Sequence, residues 1–533
     1  MPDLTPEEFR RLGAAVVDWV AGYRERVAGL PVRSQVPPGW VADHLPAELP
    51  EHPEPLQDLL SDLDRVVLPG LTHWQHPSFF GYFPANASLA SLLGDLLSGG
   101  LGVQGMLWST SPACTELEQH LLDQLVLAFG LGAQWTFTGG GGGVLQDSAS
   151  SAVLVALLAA LQRSSGGRWR DRGVAGTETI YVSGETHSAV AKAARVAGLG
   201  TRALHVVDTQ PGTGAMSADG LHRAVHADLA DDRRPVLVCA TVGTTGTGAV
   251  DPVRTIVPVC AAHRIWLHVD AAWAGAAALC PELRAPFDGV ELADSYSMNA
   301  HKWLLTVFDA TLLWTRHGRA LPEALSITPE FLRDTASESG AVVDYRDWQV
   351  PLGRRFRALK LWTVLRGLGL HEIREHLRRH VRWAGEFASW VRAEPGFELA
   401  AEPSFALVCL RVRTGAGEAA DDAATREVLE RINASGAAML THTRVGGRYL
   451  LRVAIGAVST EHQHVTALWE LLRQTAAEVR ATQVRATPGS ATPAEASSGA
   501  EPDQALLHHG GDQRAVAAEE PSDGQPPAPR CRR

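Results

Sequence analysis

Two neighbouring segments decide the fold: Ile265-Trp-Leu-His-Val-Asp270-Ala-Ala-Trp-Ala-Gly275 and Asp294-Ser-Tyr-Ser-Met-Asn-Ala-His301-Lys302-Trp303. The first reads as a short buried strand with Asp270 at its carboxyl end. The second reads as another strand that runs into a His-Lys pair. In open α/β sheets, ligands sit at the carboxyl ends of the strands. Such a sheet would deliver an acid and an amine to one crevice.

A lysine beside an aldehyde cofactor can form a Schiff base, and a carboxylate can keep a pyridine nitrogen protonated. Pyridoxal phosphate chemistry asks its protein for both. Of the 48 Lys+Arg residues only Lys192, Lys302 and Lys360 are lysines. Arginine stays protonated and is a poor nucleophile, so the candidates end there. Lys192 lies in a helix-like run, and Lys360 sits near Arg354, Arg355 and Arg357, which reads as a cationic face. Lys302 alone follows a strand. On spacing alone, a Lys302 that merely solvates a strand end remains open.

The 533 residues suffice for roughly two to four structural units. Hydrophobic residues at 45% and charged residues at 20% describe a soluble globular chain. A net charge of −11, with no basic run interleaved with aromatics, argues against a nucleic-acid partner. Cysteines 114, 239, 260, 280, 409 and 531 lack metal-ligand or paired spacing, so they read as reduced thiols, with no metal site. The amino terminus lacks a signal-peptide core, and no apolar run reaches membrane-spanning length. The expectation is a cytoplasmic protein with no membrane partner.

Along the chain, Thr5-Pro6-Glu7-Glu8 is a capping box that announces a helix to about Val27. An extended arm rich in proline follows, and an amphipathic helix with such an arm suits packing on a second subunit, with packing on its own domain an equal alternative. His73-Trp-Gln-His-Pro-Ser-Phe-Phe-Gly-Tyr-Phe-Pro84 is dense in aromatics and could line a pocket or simply pack as a loop. Ser111-Pro-Ala-Cys-Thr-Glu opens a helix to about Phe129.

Gly139 to Gly143, then Ser148-Ala149-Ser150-Ser151 and a long apolar helix, fit a phosphate site at a helix start, although glycine runs also occur in plain loops. Strand-like segments at 179–183, 203–207, 235–245, 265–270, 295–298 and 310–315, with helix-like stretches among them, indicate a parallel sheet covered on both faces. His187 and Thr245 each stand just past a strand, and for His187 a structural role is as open as a catalytic one. The polar stretch Ser326–Gly340 reads as a mobile loop of the kind that acts as a lid. Helices over about 355–393, strand-like segments at 397–413 and 438–455, and helices at about 422–433 and 459–478 describe a smaller α+β domain. Beyond about 482 the composition is that of a disordered tail. The divisions are thus 1–85 for a helical arm, 86–375 for a large α/β domain, 376–480 for the small domain and 481–533 for the tail.

His268-Val-Asp270-Ala-Ala-Trp, Asn299-Ala-His301-Lys302-Trp-Leu-Leu, Ser111-Pro-Ala-Cys-Thr-Glu and Pro351-Leu-Gly-Arg-Arg-Phe-Arg, in this order on the chain apart from the serine motif that precedes them, resemble the group II pyridoxal-phosphate decarboxylases. The nearest branch is the aromatic L-amino acid decarboxylases, and the resemblance spans roughly residues 5 to 478. It implies an α/β, fold-type I, aminotransferase-like architecture with a parallel-rich central sheet, working as a homodimer with pyridoxal 5'-phosphate on a small amino-acid substrate. By that resemblance Lys302 matches the Schiff-base lysine, Asp270 the partner of the pyridine nitrogen, and His187 the imidazole stacked on the ring. Ala149, Ser150, Thr245, Asn299 and His301 fall at cofactor-binding positions. Trp74, Tyr82, Phe83 and Pro84 match an aromatic substrate pocket, in which Gly353 leaves room for an indole-sized side chain.

One position departs from the pattern. Where the family carries a loop tyrosine resembling the proton donor to Cα, this chain has Phe331, which has no proton to give. In relatives with this change, oxygen takes the electrons and the products are an aldehyde, ammonia and peroxide. The expectation is decarboxylation to an amine and CO2, with an aldehyde synthase as the alternative. Another fold-type I enzyme such as an aminotransferase, or a catalytically silent homologue, stands further back.

Overall fold

The computed structural model describes residues 4–55, 57–327 and 340–486. Phe331 and the expected tail beyond 486 lie outside the described residues. Met1–Val484 forms one compact unit and Arg485–Arg533 a second. In the first unit, α1 (Pro6–Arg26) starts at the capping box. The Thr5 hydroxyl accepts from the Glu8 N–H at 3.2 Å, and the Glu8 carboxylate accepts from the Thr5 N–H at 2.8 Å. No residue of α1 is buried, and its Phe9, Val16 and Val17 are exposed. Helix α2 (Leu89–Leu101), which the sequence reading passed over, is capped by Ser88 and followed by α3 (Pro112–Phe129), capped by Ser111.

The central sheet holds β1 (Gly142–Gln146), β2 (Glu178–Ser183), β3 (Leu204–Val207), β4 (Arg234–Thr241), β5 (Trp266–Asp270), β6 (Ser295–Asn299) and β7 (Thr311–Thr315). Their order is β1-β7-β6-β5-β4-β2-β3. The pairs from β3 through β6 are parallel, whereas β7 runs antiparallel to both β6 and β1. The sheet is parallel-rich, as expected, and β7 is the strand that departs from the parallel run. The link from Asn299 to Thr311 is shorter than a parallel crossover requires, so the chain turns straight back.

Alternation along each strand feeds two cores. Leu267 and Val269 point into one, while Trp266 joins the other beneath α4 (Ala149–Ser165). Small residues on α4, among them Ala152, Ala156 and Ala159, let it lie close on β4 to β7. Helix α5 (Ala189–Val196) packs beside α4, and α6 (Ala218–Ala230) and α7 (Val253–His263) cover the opposite face. The long α8 (Ala358–Ala393) bends at Gly369, whose φ of 69° breaks the helical path. It leads to a four-stranded antiparallel sheet of β8 (Phe397–Leu399), β9 (Leu407–Val412), β10 (Thr441–Val445) and β11 (Arg448–Ala454), in the order β10-β11-β9-β8. Helices α9 (Glu418–Ser435) and α10 (His462–Ala486) complete the unit.

Three readings change on contact with the structure. The five-glycine run is no loose entry, because it leads into β1 and is demanded by packing. A Cβ on Gly139 would lie 1.8 Å from the Ala133 carbonyl oxygen, and one on Gly143 would lie 2.5 Å from the Trp314 ring. The strand expected over 438–455 is a hairpin, turned at Gly446 and Gly447 with φ of 56° and 81°. Lys360 does not lie on a cationic face. It is buried against α2, with its amine 3.3 Å from Asp95 and 3.7 Å from Asp309.

The segment leading to Gly353 is locked by a buried ion pair. Arg354 donates to both Glu118 oxygens at 2.6 Å, to the Leu145 carbonyl at 2.8 Å and to Gln349 Oε1 at 3.1 Å. Both side chains are 0% exposed, and the pair ties α3, β1 and this segment together.

Candidate active site

Asp270 ends β5 because the next residues leave the sheet. Its Oδ1 accepts from the Ala272 N–H at 2.9 Å, which turns the chain at that point. Burial raises the Asp270 pKa, opposed by Lys302, by the Ala272 N–H and by His187. The register brings Asp270 and Lys302 to one edge of the sheet, since Asp270 pairs with Ser297 and Lys302 follows the end of β6 at Asn299. Its second oxygen has no donor among the described residues.

Lys302 sits in the turn from β6 to β7. Its N–H donates to the Asn299 carbonyl at 3.2 Å, and its carbonyl accepts from Asn86 Nδ2 at 2.7 Å. Burial lowers the Lys302 pKa, Asp270 opposes that, and Arg452 adds to it. The amine has no hydrogen-bond acceptor among the described residues, and a depressed pKa favours the neutral, nucleophilic form.

Asn299 Oδ1 accepts from the Thr311 hydroxyl at 2.8 Å, which leaves its amide NH2 for a ligand. His301 Nδ1 accepts from the Ala310 N–H at 3.1 Å, which places the proton of the neutral ring on Nε2. Burial, helped by Lys302, brings the His301 pKa to about 4, so the ring is neutral at physiological pH. His187 is exposed just past β2, its Nδ1 accepting from the Ala189 N–H at 3.1 Å. Thr245 is exposed in the turn after β4. Ala149 and Ser150 open α4, where Ser148 caps the Ser151 N–H at 3.2 Å. The N–H groups of Ala149 and Ser150 have no acceptor among the described residues, which leaves the positive end of the helix open to an anion.

The aromatic residues divide. Trp74 and Tyr82 stack at 5.5 Å on an exposed face, with Tyr82 held at φ 51° and its N–H on Thr441 Oγ1. Phe83 turns inward onto Trp273 at 4.6 Å and Trp303 at 5.5 Å, and Pro84 is buried beside it. Gly353 is exposed, and a Cβ there would meet only Gln104, at 3.5 Å. Of the other two lysines, Lys192 is exposed on α5 and Lys360 is committed to its acids.

Two residues escaped the sequence reading. Asn86, 1% exposed, joins the Lys302 and Gly456 carbonyls, and its Oδ1 accepts from Val458 N–H at 2.7 Å. Arg452, 4% exposed, donates to the Gly246 carbonyl and to Thr441 and forms no ion pair among the described residues. Nothing in the local sequence marks either, because both act from segments remote from β5 and β6.

A model of the pyridoxal-dependent decarboxylase conserved domain matches residues 38–413. The chain belongs to the pyridoxal-dependent decarboxylases. It is 45% identical over 476 residues to a phenylacetaldehyde synthase of Arabidopsis thaliana, covering 88% of this chain and 96% of that one. It is 43% identical over 482 residues to tyrosine decarboxylase 4 of Petroselinum crispum, covering 89% and 94%. The crystal structure of Oryza sativa TDC with PLP and tryptamine superposes with a TM-score of 0.87 at 40% identity, covering 90% of this decarboxylase and all of that chain. The cofactor of the family is pyridoxal 5'-phosphate, and the residues here fit it. The site offers an amine with no hydrogen-bond acceptor, a buried carboxylate with a free oxygen, and a helix terminus whose first two N–H groups, those of Ala149 and Ser150, have no acceptor among the described residues. Among the described residues no group of side chains could hold a metal ion, and no helix is long and apolar enough to cross a membrane.

Proposed function

We propose that this decarboxylase converts an aromatic L-amino acid to its amine and CO2. The observation that carries the reading is that adjacent, register-paired β5 and β6 end in Asp270 and lead into Lys302 at one edge of the sheet. Bound pyridoxal phosphate supplies an electron sink for the pair left when CO2 departs. Lys302 would anchor the cofactor through its amine. Asp270 holds the proton of the pyridine nitrogen. His187, exposed just past β2, would hold the cofactor ring through its imidazole. Ala149 and Ser150 would bind the phosphate through their N–H groups, and Thr245, Asn299 and His301 would be further cofactor-binding residues. Trp74, Tyr82, Phe83 and Pro84, with Gly353, contribute to the substrate pocket.

Exposed apolar surface supports a homodimer. Leu89, Leu93, Leu96, Leu97 and Leu101 form one stripe on α2, each more than half exposed, and no residue of α1 is fully buried in its own chain. A second copy of the chain would cover both. The five described cysteines are buried and unpaired, which suits a reducing, cytoplasmic setting.

Phe331 and the phenylacetaldehyde synthase relative favour one second reading, in which O2 accepts the electrons and water releases the nitrogen, giving aldehyde, CO2, ammonia and hydrogen peroxide. Incubation with Phe, Tyr, Trp and Dopa, quantifying all these products together, tests both. Amine equal to CO2 without peroxide establishes the first reading. Aldehyde and peroxide equal to CO2 establish the second, and Phe331→Tyr is then expected to restore amine. No CO2 from any of the four contradicts both.

A further inference from the structure

Three adjacent strands bring three side chains to one level at the carboxyl edge of the sheet. The register pairs Thr241 of β4 with Asp270 of β5, and Asp270 with Ser297 of β6. Residues paired in this way project to the same face. Thr241 is 4% exposed, and its hydroxyl has no hydrogen-bond partner among the described residues. Ser297 is fully buried, and its hydroxyl meets only His268 Nε2, at 3.2 Å.

The direction of that bond follows from its neighbours. The Trp266 indole N–H donates to Ser295 Oγ at 2.8 Å, and an indole nitrogen cannot accept. Ser295 is buried, so its proton goes to the one acceptor offered among the described residues, His268 Nδ1 at 2.8 Å. Burial brings the His268 pKa down to about 3, so the ring is neutral. Its proton therefore sits on Nε2 and is donated to Ser297. The Ser297 hydroxyl proton is left unclaimed, as is that of Thr241. Between them stands Asp270, with one oxygen lacking a donor.

We propose that Thr241 and Ser297 are positioning residues that turn their hydroxyl protons onto Asp270 when the cofactor docks, holding the carboxylate ionised beside the pyridine nitrogen. This rests on the role given to Asp270 above. The titratable groups that interact electrostatically with Asp270 are Lys302, His187, Cys239 and, from the opposite face of the sheet, Tyr296. Two neutral hydroxyls stabilise the carboxylate without adding a charge that would compete with the cofactor.

Thr241→Val and Ser297→Ala each remove one hydroxyl at nearly constant volume. Equilibrium binding of pyridoxal phosphate to the apo double variant is measured across about pH 5 to 8, with circular dichroism to confirm folding. The expected result is affinity weakened about tenfold at neutral pH. The acid limb of binding should also move upward by about one pH unit, because a carboxylate stripped of donors protonates at higher pH. A folded double variant with the parent's affinity and acid limb overturns the inference. Asp270→Asn separates the two levels. If it weakens binding and removes the acid limb while the double variant changes nothing, only the hydroxyl inference fails. If it too behaves as the parent, the role of Asp270 fails with it.

Discussion

Replacing Arg354 by methionine should cost about 3–5 kcal/mol, the range for stripping one partner from a buried ion pair. The structure supports that figure bond by bond. Two 2.6 Å charge-assisted bonds to Glu118 are lost, together with the bonds to the Leu145 carbonyl and to Gln349. The guanidinium also lies 4.3 Å from the Tyr345 ring centroid, a contact methionine replaces only in part. Glu118 would keep a single donor, the Leu145 N–H at 2.7 Å, in a fully buried site. Adding Glu118→Gln removes the stranded charge while keeping an acceptor for Leu145, so the double variant should recover at least half of the loss. Urea unfolding at one fixed cofactor concentration, followed by both circular dichroism and tryptophan fluorescence, is the assay. A single variant within about 1 kcal/mol of the parent, or a double variant no better than the single, would refute the reasoning.

Three further outcomes are expected. Asp270→Asn should lower kcat by about a hundredfold or more in steady-state assays while the fold survives, since an uncharged amide cannot hold the ring proton through the reaction. Burial brings the His376 pKa down to about 4, so between the unfolded value and 4 the unfolded chain binds the extra proton and stability falls as pH falls. His376→Leu should therefore remove about 2 kcal/mol of the stability lost between pH 6.5 and 5, measured by denaturation at the two pH values. Leu93→Glu with Leu97→Glu should yield monomers by sedimentation if the α2 stripe is the surface a second copy covers, and an unchanged sedimentation coefficient contradicts that.

What the sequence made legible was chemistry tied to strand ends. Asp270 and Lys302 stand out because continuous apolar runs lead into them and because the chain has so few lysines. Strand direction was not legible. β7 is as short and as fully buried as β6, and only the short return from Asn299 reverses it. The glycine run was misread because flexibility and close packing call for the same residue, and the 1.8 Å approach at Gly139 is visible only once Ala133 is in place. Lys360 was misplaced because its acids, Asp95 and Asp309, are far away in sequence. Asn86 and Arg452 were invisible for the same reason, being brought to the Lys302 loop by long-range contacts. For the aromatic segment the sequence left pocket and packed loop both open, and only the structure shows Trp74 stacked on Tyr82 while Phe83 packs on Trp273.

The central claim is that the Lys302 amine, at the same sheet edge as Asp270, anchors the cofactor. The most direct measurement is the visible absorption of the purified, cofactor-loaded protein beside Lys302→Ala, with CO2 release from an aromatic amino acid recorded on the same samples. The account predicts that the band of the lysine-linked cofactor and CO2 release disappear together in Lys302→Ala, while Lys192→Ala keeps both. A Lys302→Ala protein that retains the band and continues to release CO2 would contradict it.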